Sequence, residues 1–334
     1  LASEVVSVSG HVGHFKSGIS EQVSCIGSQV SGVREIEHGV VIVATGGVES
    51  KPVEYLYGQD ERVITQRELE ERLTDYRSPI TDHQTIVMIQ CVGSRDEQRP
   101  YCSRICCSQA IKNALKLKEL NPETEVYILY RDMRTYGFRE EYYYQARKAG
   151  VIFIRYDVDK KPEVKRQGAT SLEVEVFDPV LQENVVISTD MVVLAPAIIP
   201  CPGNEQLAPL LKVTLNQDRF FLEAHMKLRP VDFATEGMFL CGLAHSPKDI
   251  SESIIQSKAV AGRAATVLAK DQLEVGGVVS LVDQNRCVVC LTCIRMCPYN
   301  VPFINEKGAA EIEPAKCQGC GICASECPAK AIEL

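Results

Sequence analysis

Apolar residues along the chain fall into short blocks separated by polar turns, and the blocks alternate between strand and helix periodicity. Gly39-Val40-Val41-Ile42-Val43-Ala44-Thr45-Gly46-Gly47 is an unbroken apolar run entering a glycine turn, as in a buried parallel strand. Thr85–Cys91 predicts a second strand, Cys107–Leu120 a helix and Glu125–Tyr130 a third strand, together a β–α–β unit. Thr235-Glu236-Gly237-Met238-Phe239-Leu240-Cys241-Gly242 predicts a further strand and turn. Asp249–Leu268 then predicts a helix with apolar positions at Ile254, Ile255, Ala259, Val260 and Ala264, capped by Asp249 or Ser251. Short strands around Val278–Val282 and Ala331–Leu334 close the C-terminal segment.

A chain of 334 residues holds two or three domains, each able to bury a core. Its 45% hydrophobic and 24% charged content is ordinary for a globular protein. The net charge of −8 argues against nucleic acid as the main partner, because phosphates call for a basic face. No apolar run approaches the ~20 residues that span a bilayer, so a membrane role has to come through a partner. Leu1-Ala2-Ser3-Glu4 has neither the basic start nor the apolar stretch of a signal peptide, and no initiator Met. The expectation is a chain that begins inside a longer protein, located in the cytoplasm.

Fifteen cysteines change the picture. Eight of them form two runs, Cys287-x2-Cys290-x2-Cys293-x3-Cys297-Pro298 and Cys317-x2-Cys320-x2-Cys323-x3-Cys327-Pro328. This is the bacterial two-cluster ferredoxin spacing, in which the fourth cysteine of each run ligates the other cluster. It predicts one [4Fe–4S] cubane on Cys287, Cys290, Cys293 and Cys327, and a second on Cys317, Cys320, Cys323 and Cys297. Three thiolates on a tight loop wrap three corners of a cube, and the Pro turns the chain toward the other half. Gly319 and Gly321 are expected to let the backbone approach the second cluster. Zinc ribbons explain neither the Pro nor the crossed repeat, and a disulfide scaffold does not suit this ligand spacing.

The strand ending Ala44, Thr45, Gly46 and Gly47, with the later turn at Cys241 and Gly242 and the helix after it, suits a dinucleotide. Glycine lets the backbone approach the ligand, and a helix N-terminus favours the electron-rich edge of a reduced flavin. The pair favours FAD and resembles the two-dinucleotide-binding flavoprotein superfamily. The Gly-x-Gly-x-x-Gly of that superfamily, which cradles the FAD pyrophosphate, is absent from the chain. An insert over residues 85–188 stands where the superfamily has a nicotinamide domain, but its first turn keeps only Gly93. Cys91, Cys102, Cys106 and Cys107 occupy that turn instead, interleaved with Arg95, Arg99 and Arg104. Four soft ligands suit a tetrahedral metal or an iron–sulfur cubane, with buried structural cysteines or a redox dithiol as alternatives.

Cys-x10-Cys-x3-Cys-Cys, preceded by Cys-Val-Gly-Ser-Arg and followed by Ser-Gln-Ala-Ile-Lys, resembles the A-type polypeptide of heterodisulfide reductase. So do Glu223-Ala-His-Met-Lys-Leu-Arg-Pro230, Pro247-Lys-Asp-Ile250 and the double ferredoxin. The resemblance covers the chain from the Ala-Thr-Gly strand to its end, and corresponds to the C-terminal portion of that polypeptide. It implies an α/β fold: a partial FAD-binding domain over 1–84 and 189–272, a cluster-bearing insert, and an α+β ferredoxin domain over 278–334. It also implies a third [4Fe–4S] cluster on Cys91, Cys102, Cys106 and Cys107, and FAD held around Ala44–Gly47, Cys241, Gly242, Pro247, Lys248 and Ile250. The implied activity is that of an oxidoreductase subunit performing flavin-based electron bifurcation in a complex. Its partners would be disulfide-reducing subunits, a hydrogenase or dehydrogenase donor, and soluble ferredoxin. Membership of a quinone-interacting membrane complex and a role as a non-flavin electron-transfer adaptor are the alternatives.

Lesser candidates are Lys112, placed five residues after Cys107 to approach the flavin N5, or else a solvated lysine beside Lys116 and Lys118. His225 either lines the flavin or is structural. Tyr142-Tyr143-Tyr144 is expected to pack a helix on the sheet, and Glu140 and Glu141 to form a solvated face. Cys25, Cys201 and Cys241 are expected to be small buried hydrophobes.

Overall fold

The computed structural model describes residues 3–21, 23–25, 28–30, 32–74, 84–168, 171–273 and 277–334, with side chains of 21–30 excluded. The side chain of Cys25 therefore lies outside the described residues. The chain forms two compact units, one of residues 1–46, 200–246 and 250–334, the other of 47–199 and 247–249.

The second unit is built on a parallel sheet of five strands. In spatial order they are Ile152–Arg155, Glu125–Tyr130, Thr85–Val92, Met191–Pro196 and Val63–Thr65. Thr85–Val92 is central, and its sequence Thr-Ile-Val-Met-Ile-Gln-Cys-Val is apolar on both faces because both faces are covered. Ile86 and Met88 face one way, against Leu69, Ile111, Ala114, Leu117 and Ala146 from the helices Gln66–Thr74, Cys106–Leu120 and Glu140–Lys148. Val87 and Ile89 face the other way, against Leu172, Val174, Val176 and Ile187. Those four come from an antiparallel meander of Glu163–Gln167, Ser171–Asp178 and Glu183–Thr189, whose middle strand alternates and buries Leu172, Val174 and Val176 on one face. Each fully buried Leu, Ile or Val contributes roughly 1.5–3 kcal/mol relative to exposure. The first helix starts from a reciprocal cap: Glu68 N–H donates to Thr65 Oγ1 at 3.3 Å, and Thr65 N–H to Glu68 Oε2 at 2.7 Å.

The expected strand–helix–strand is present as Thr85–Val92, Cys106–Leu120 and Glu125–Tyr130. The compact unit reaches beyond the expected 85–188, because Val63–Thr65 pairs in register with Val192–Leu194. Of the three consecutive tyrosines, only Tyr143 packs inward, edge-on to Phe153 with ring centroids 4.8 Å apart. Tyr142 and Tyr144 are exposed, since a helical turn sends neighbours to different faces. Glu140 and Glu141 are exposed.

In the first unit Ser3–His11, His14–Glu21 and Val33–His38 form an antiparallel sheet. Val41–Val43 pairs in parallel with Met238–Leu240, joining segments almost 200 residues apart. Phe15, Val43, Phe221, Phe233, Met238 and Leu240 form its core with the helix Asn204–Leu211. The helix Ile250–Leu268 is docked by Val260 and Ala264 and by Arg263, whose Nη2 is 2.8 Å from Asp232 Oδ1. Ile254, Ile255 and Ala259 are exposed, so the apolar face expected from their spacing is only partly covered. The C-terminal module within this unit is closed by Leu281–Val282 paired antiparallel with Ile332–Glu333. Among the described residues no helix is long and apolar enough to cross a membrane.

Candidate redox centres

The cysteines of the C-terminal module surround two voids. One is lined by Cys287, Cys290, Cys293 and Cys327. The other is lined by Cys297, Cys317, Cys320 and Cys323. Each set joins three cysteines of one run to the fourth of the other. Backbone amides point at the sulfurs: Ala310 N–H to Cys287 Sγ at 3.4 Å, Ala331 to Cys327 at 3.3 Å, Ser280 to Cys317 at 3.4 Å and Val301 to Cys297 at 3.5 Å. Such donors stabilise thiolate ligands of a cluster. Among the described residues no three His, Cys, Asp or Glu side chains are placed to hold a single metal ion. Four thiolates around each void, three from one run and the fourth from the other, fit a cubane in each. Cys290 and Cys320, one in each set, are exposed.

Gly319 and Gly321 adopt φ of +64° and +74°. A Cβ at Gly319 would lie 2.5 Å from Val278 O, and one at Gly321 3.2 Å from Leu334 Cδ2. Both glycines are thus demanded by left-handed backbone and by protein neighbours.

The second cysteine group lies where strand order reverses. From the central strand the chain proceeds outward through Glu125–Tyr130 to Ile152–Arg155, then returns to the opposite side with Met191–Pro196. Ligands of open parallel sheets bind at the C-terminal strand ends beside such a reversal. Cys91 sits at that end of the central strand with φ of +61°, and Cys106 and Cys107 begin the following helix. Arg95 and Arg104 in the connecting loop also have positive φ, 58° and 64°. The strain is held by a dense set of contacts. Arg95 N–H reaches Tyr101 O at 3.1 Å, and Arg99 Nη1 reaches Gly93 O at 3.2 Å. Arg131 Nη1 donates to Arg95 O at 2.7 Å, and Ser103 Oγ accepts Ile198 N–H at 2.9 Å.

Sulfur contacts converge at this corner. Arg104 N–H donates to Cys102 Sγ at 3.3 Å, Arg95 Nη1 is 4.0 Å from Cys91 Sγ, and Cys107 Sγ–H donates to Asp132 O at 3.7 Å. The hydrogen bond shared by the adjacent thiols pushes Cys106, also buried, well above the ordinary thiol range. The same bond draws Cys107 down to about 7, aided by Arg134 and Arg95. Burial raises Cys91. Four sulfurs in mutual electrostatic reach, amid arginines and at a helix start, suit an anionic thiolate-bound cluster. Arg131, Asp132 and Arg134 were not singled out by sequence pattern. Their signal was position: they follow directly on the neighbouring parallel strand, which ends at the same sheet edge.

The flavin candidates divide. Ala44, Thr45 and Gly46 follow one strand of the parallel pair and Cys241 and Gly242 the other, linked by Cys241 N–H to Val43 O at 3.1 Å. Gly46 and Gly242 have φ of +76° and +67°, with no described atom within 4 Å of where a Cβ would stand. Thr45 Oγ1 donates to Asn204 Oδ1 at 2.8 Å, and the buried Asn204 Nδ2 has no hydrogen-bond partner among the described residues. An open glycine cradle beside an orphaned amide donor fits part of a dinucleotide. Gln256 Oε1 accepts Gly242 N–H at 2.8 Å, and Gln256 Nε2 meets His245 Nδ1 at 3.0 Å. His245 Nε2 in turn pairs with Glu223 Oε2 at 2.8 Å, a relay that no sequence pattern announces. Gly47 begins the second unit, to which buried Pro247 and Lys248 also belong, and Ile250 is exposed. Asp249 Oδ2, ahead of the helix, pairs with Arg139 Nη1 at 2.9 Å.

His225 Nδ1 accepts the N–H groups of Lys227 and Leu228, both at 3.2 Å, and so shapes its own turn. Lys112 is exposed and pairs with Glu70 Oε1 at 2.6 Å. Cys241 is buried and Cys201 half-buried.

Residues 280–328 match the family "4Fe-4S dicluster domain". The A-type polypeptide of the H(2):CoB-CoM heterodisulfide,ferredoxin reductase of Methanothermobacter thermautotrophicus is 39% identical over 299 residues, covering 84% of this chain and 44% of the relative. An iron-sulfur A-type polypeptide of the CoB--CoM heterodisulfide reductase of Methanopyrus kandleri is 40% identical over 296 residues, covering 82% and 44%. The chain belongs to the heterodisulfide reductase A-type family. It spans less than half the length of these relatives, 44% in both. Among solved structures, T. acidophilum thioredoxin reductase is similar with a TM-score of 0.48 and 14% identity, covering 80% of this chain and 74% of that one.

Proposed function

We propose that this heterodisulfide reductase A-type chain is an oxidoreductase component that moves electrons through three [4Fe–4S] clusters and a flavin within a cytoplasmic complex. The observation that carries the reading is the crossed lining of the two voids, each joining three cysteines of one run to the fourth of the other, which supports two cubanes. Closed cubanes leave no substrate position and serve as single-electron carriers. Exposed Cys290 and Cys320 bring one edge of each site to the surface, where an electron can enter or leave.

FAD would supply exchange between two-electron and one-electron chemistry. Gly46 and Gly242 leave room for it, Asn204 Nδ2 is available to donate, and the Glu223–His245–Gln256 relay fixes the Gly242 amide. Lys112 is exposed and holds Glu70 in an ion pair, which supports the reading of it as a solvated lysine; unchanged flavin potentials in Lys112→Ala would agree. The names of the relatives support electron bifurcation between a disulfide-reducing branch and ferredoxin, fed by a hydrogenase or dehydrogenase partner.

Oxygen-free purification with iron, sulfide and flavin quantified together tests the reading. About twelve irons per chain are expected for three cubanes. About eight would remove the cluster at Cys91, and colourless protein after iron and sulfide reconstitution would overturn the proposal.

A further inference from the structure

The two voids of the C-terminal module are built from equivalent cysteine runs, yet their surroundings differ at one buried hydroxyl. Ser280 is 1% exposed. Its backbone N–H donates to Cys317 Sγ at 3.4 Å, and its Oγ stands 3.3 Å from Cys323 Sγ. Both cysteines line the same void, and Ser280 lines it with them. The void of the first run has a hydroxyl neighbour as well, Thr292, which hydrogen-bonds Cys290. Cys290 is exposed, so water competes for that sulfur. No such competition reaches Ser280.

The direction of the Ser280 bond depends on the state of the sulfur. With a protonated Cys323 the thiol donates to Ser280 Oγ. A cysteine bound to iron has no proton, so the hydroxyl then has to turn and donate to the sulfur. Hydrogen bonds to ligand sulfur stabilise the more negative, reduced cluster and raise its potential. In a buried setting the bond is electrostatically stronger than its exposed counterpart. Its donor is also pinned. The carbonyl of Val278, two residues upstream, lies against Gly319, where a Cβ would come within 2.5 Å of it. Leu281–Val282, immediately downstream, is paired with Ile332–Glu333.

We propose that Ser280 is a potential-setting residue, which makes the cluster on Cys297, Cys317, Cys320 and Cys323 the more oxidising of the module's two. Electrons entering the module then come to rest on that cluster, and it is the point from which a single electron is handed on. The inference rests on the crossed-cubane reading and adds an order of filling to it.

The test is an EPR-monitored redox titration of anaerobically reconstituted full chain, with iron counted in the same samples. The module's two clusters are recognised by their mutual spin coupling. Ser280→Ala and Ser280→Gly are expected to keep wild-type iron and to move the more positive of the two waves to lower potential, leaving the other in place. Ser280→Thr, which restores a hydroxyl, is expected to return it. Wild-type iron with unmoved waves, with both waves moved equally, or with only the more negative wave moved would overturn the assignment. So would iron loss in both the Ala and Gly variants, which would make Ser280 a packing residue. Absence of two spin-coupled clusters from the wild type itself would instead sink the underlying cubane reading.

Discussion

Arg95 Nη2 donates to Asp132 Oδ2 at 2.5 Å, tying the cysteine loop to the segment after the adjacent parallel strand. The same guanidinium is 4.0 Å from Cys91 Sγ, so one side chain both clamps the loop and offsets thiolate charge. Arg95→Leu is expected to loosen this corner and lower iron from about twelve toward eight per chain. Iron and sulfide analysis checks it, with Arg95→Lys keeping the charge but losing the fork. Full iron in Arg95→Leu would show that the clamp is dispensable.

Removing one thiol of the corner gives a sharper result. Cys106→Ser is expected to lose about four irons per chain, while Cys201→Ser, at a half-buried cysteine without ligand spacing, loses none. Equal iron in both variants would refute the ligand set.

The glycine cradle makes a separate prediction. Nothing in the described protein blocks a methyl group at Gly46, but its φ of +76° strains any L side chain by roughly 1–2 kcal/mol. Gly46→Ala is expected to reduce bound flavin severalfold while leaving iron unchanged. Parallel flavin and iron assays of the purified protein measure this, and full flavin occupancy would remove the glycine from the site.

Glu49 predicts a pH dependence. Burial, followed by the charge of Glu68, raises its carboxyl to about 6. An unfolded Glu titrates near ~4.3, so between there and about 6 the folded state binds more protons. Stability should accordingly fall as pH rises through that window. Glu49→Gln is expected to flatten the slope and raise Tm at pH 7 by roughly 2–4 °C, corresponding to about 1 kcal/mol after discounting for partial exposure. Thermal melts from pH 4 to 8 would decide; identical slopes would exclude Glu49 as the source.

The sequence disclosed what local chemistry dictates. The strand at Thr85, the helix after Cys106 and the strand at Glu125 were legible as a β–α–β unit, and metal-ligand spacing picked out the module's cysteines. What it hid depends on distant partners. Arg131 and Asp132 join the cysteine corner only because a parallel strand ends beside Cys91. The meander of Glu163–Thr189 shows ordinary alternation, which does not say which sheet it will cover. Ile254 and Ile255 read as a buried face, yet the helix docks through Val260 and Ala264. The glycines at 319 and 321 were legible as special positions, but their reason, the nearness of Val278 and Leu334, lay in tertiary contacts.

The seat of Val278 on Gly319 has a consequence for how this module can be inherited or transplanted. The family match begins at residue 280, but the physical edge lies further upstream, because Ser280 lines the site around Cys317 and the Val278 carbonyl before it lies against Gly319. A ferredoxin half excised at residue 281 would keep every cysteine and still open one of its two chambers to water. Recombination that preserves both chambers has to cut ahead of Val278.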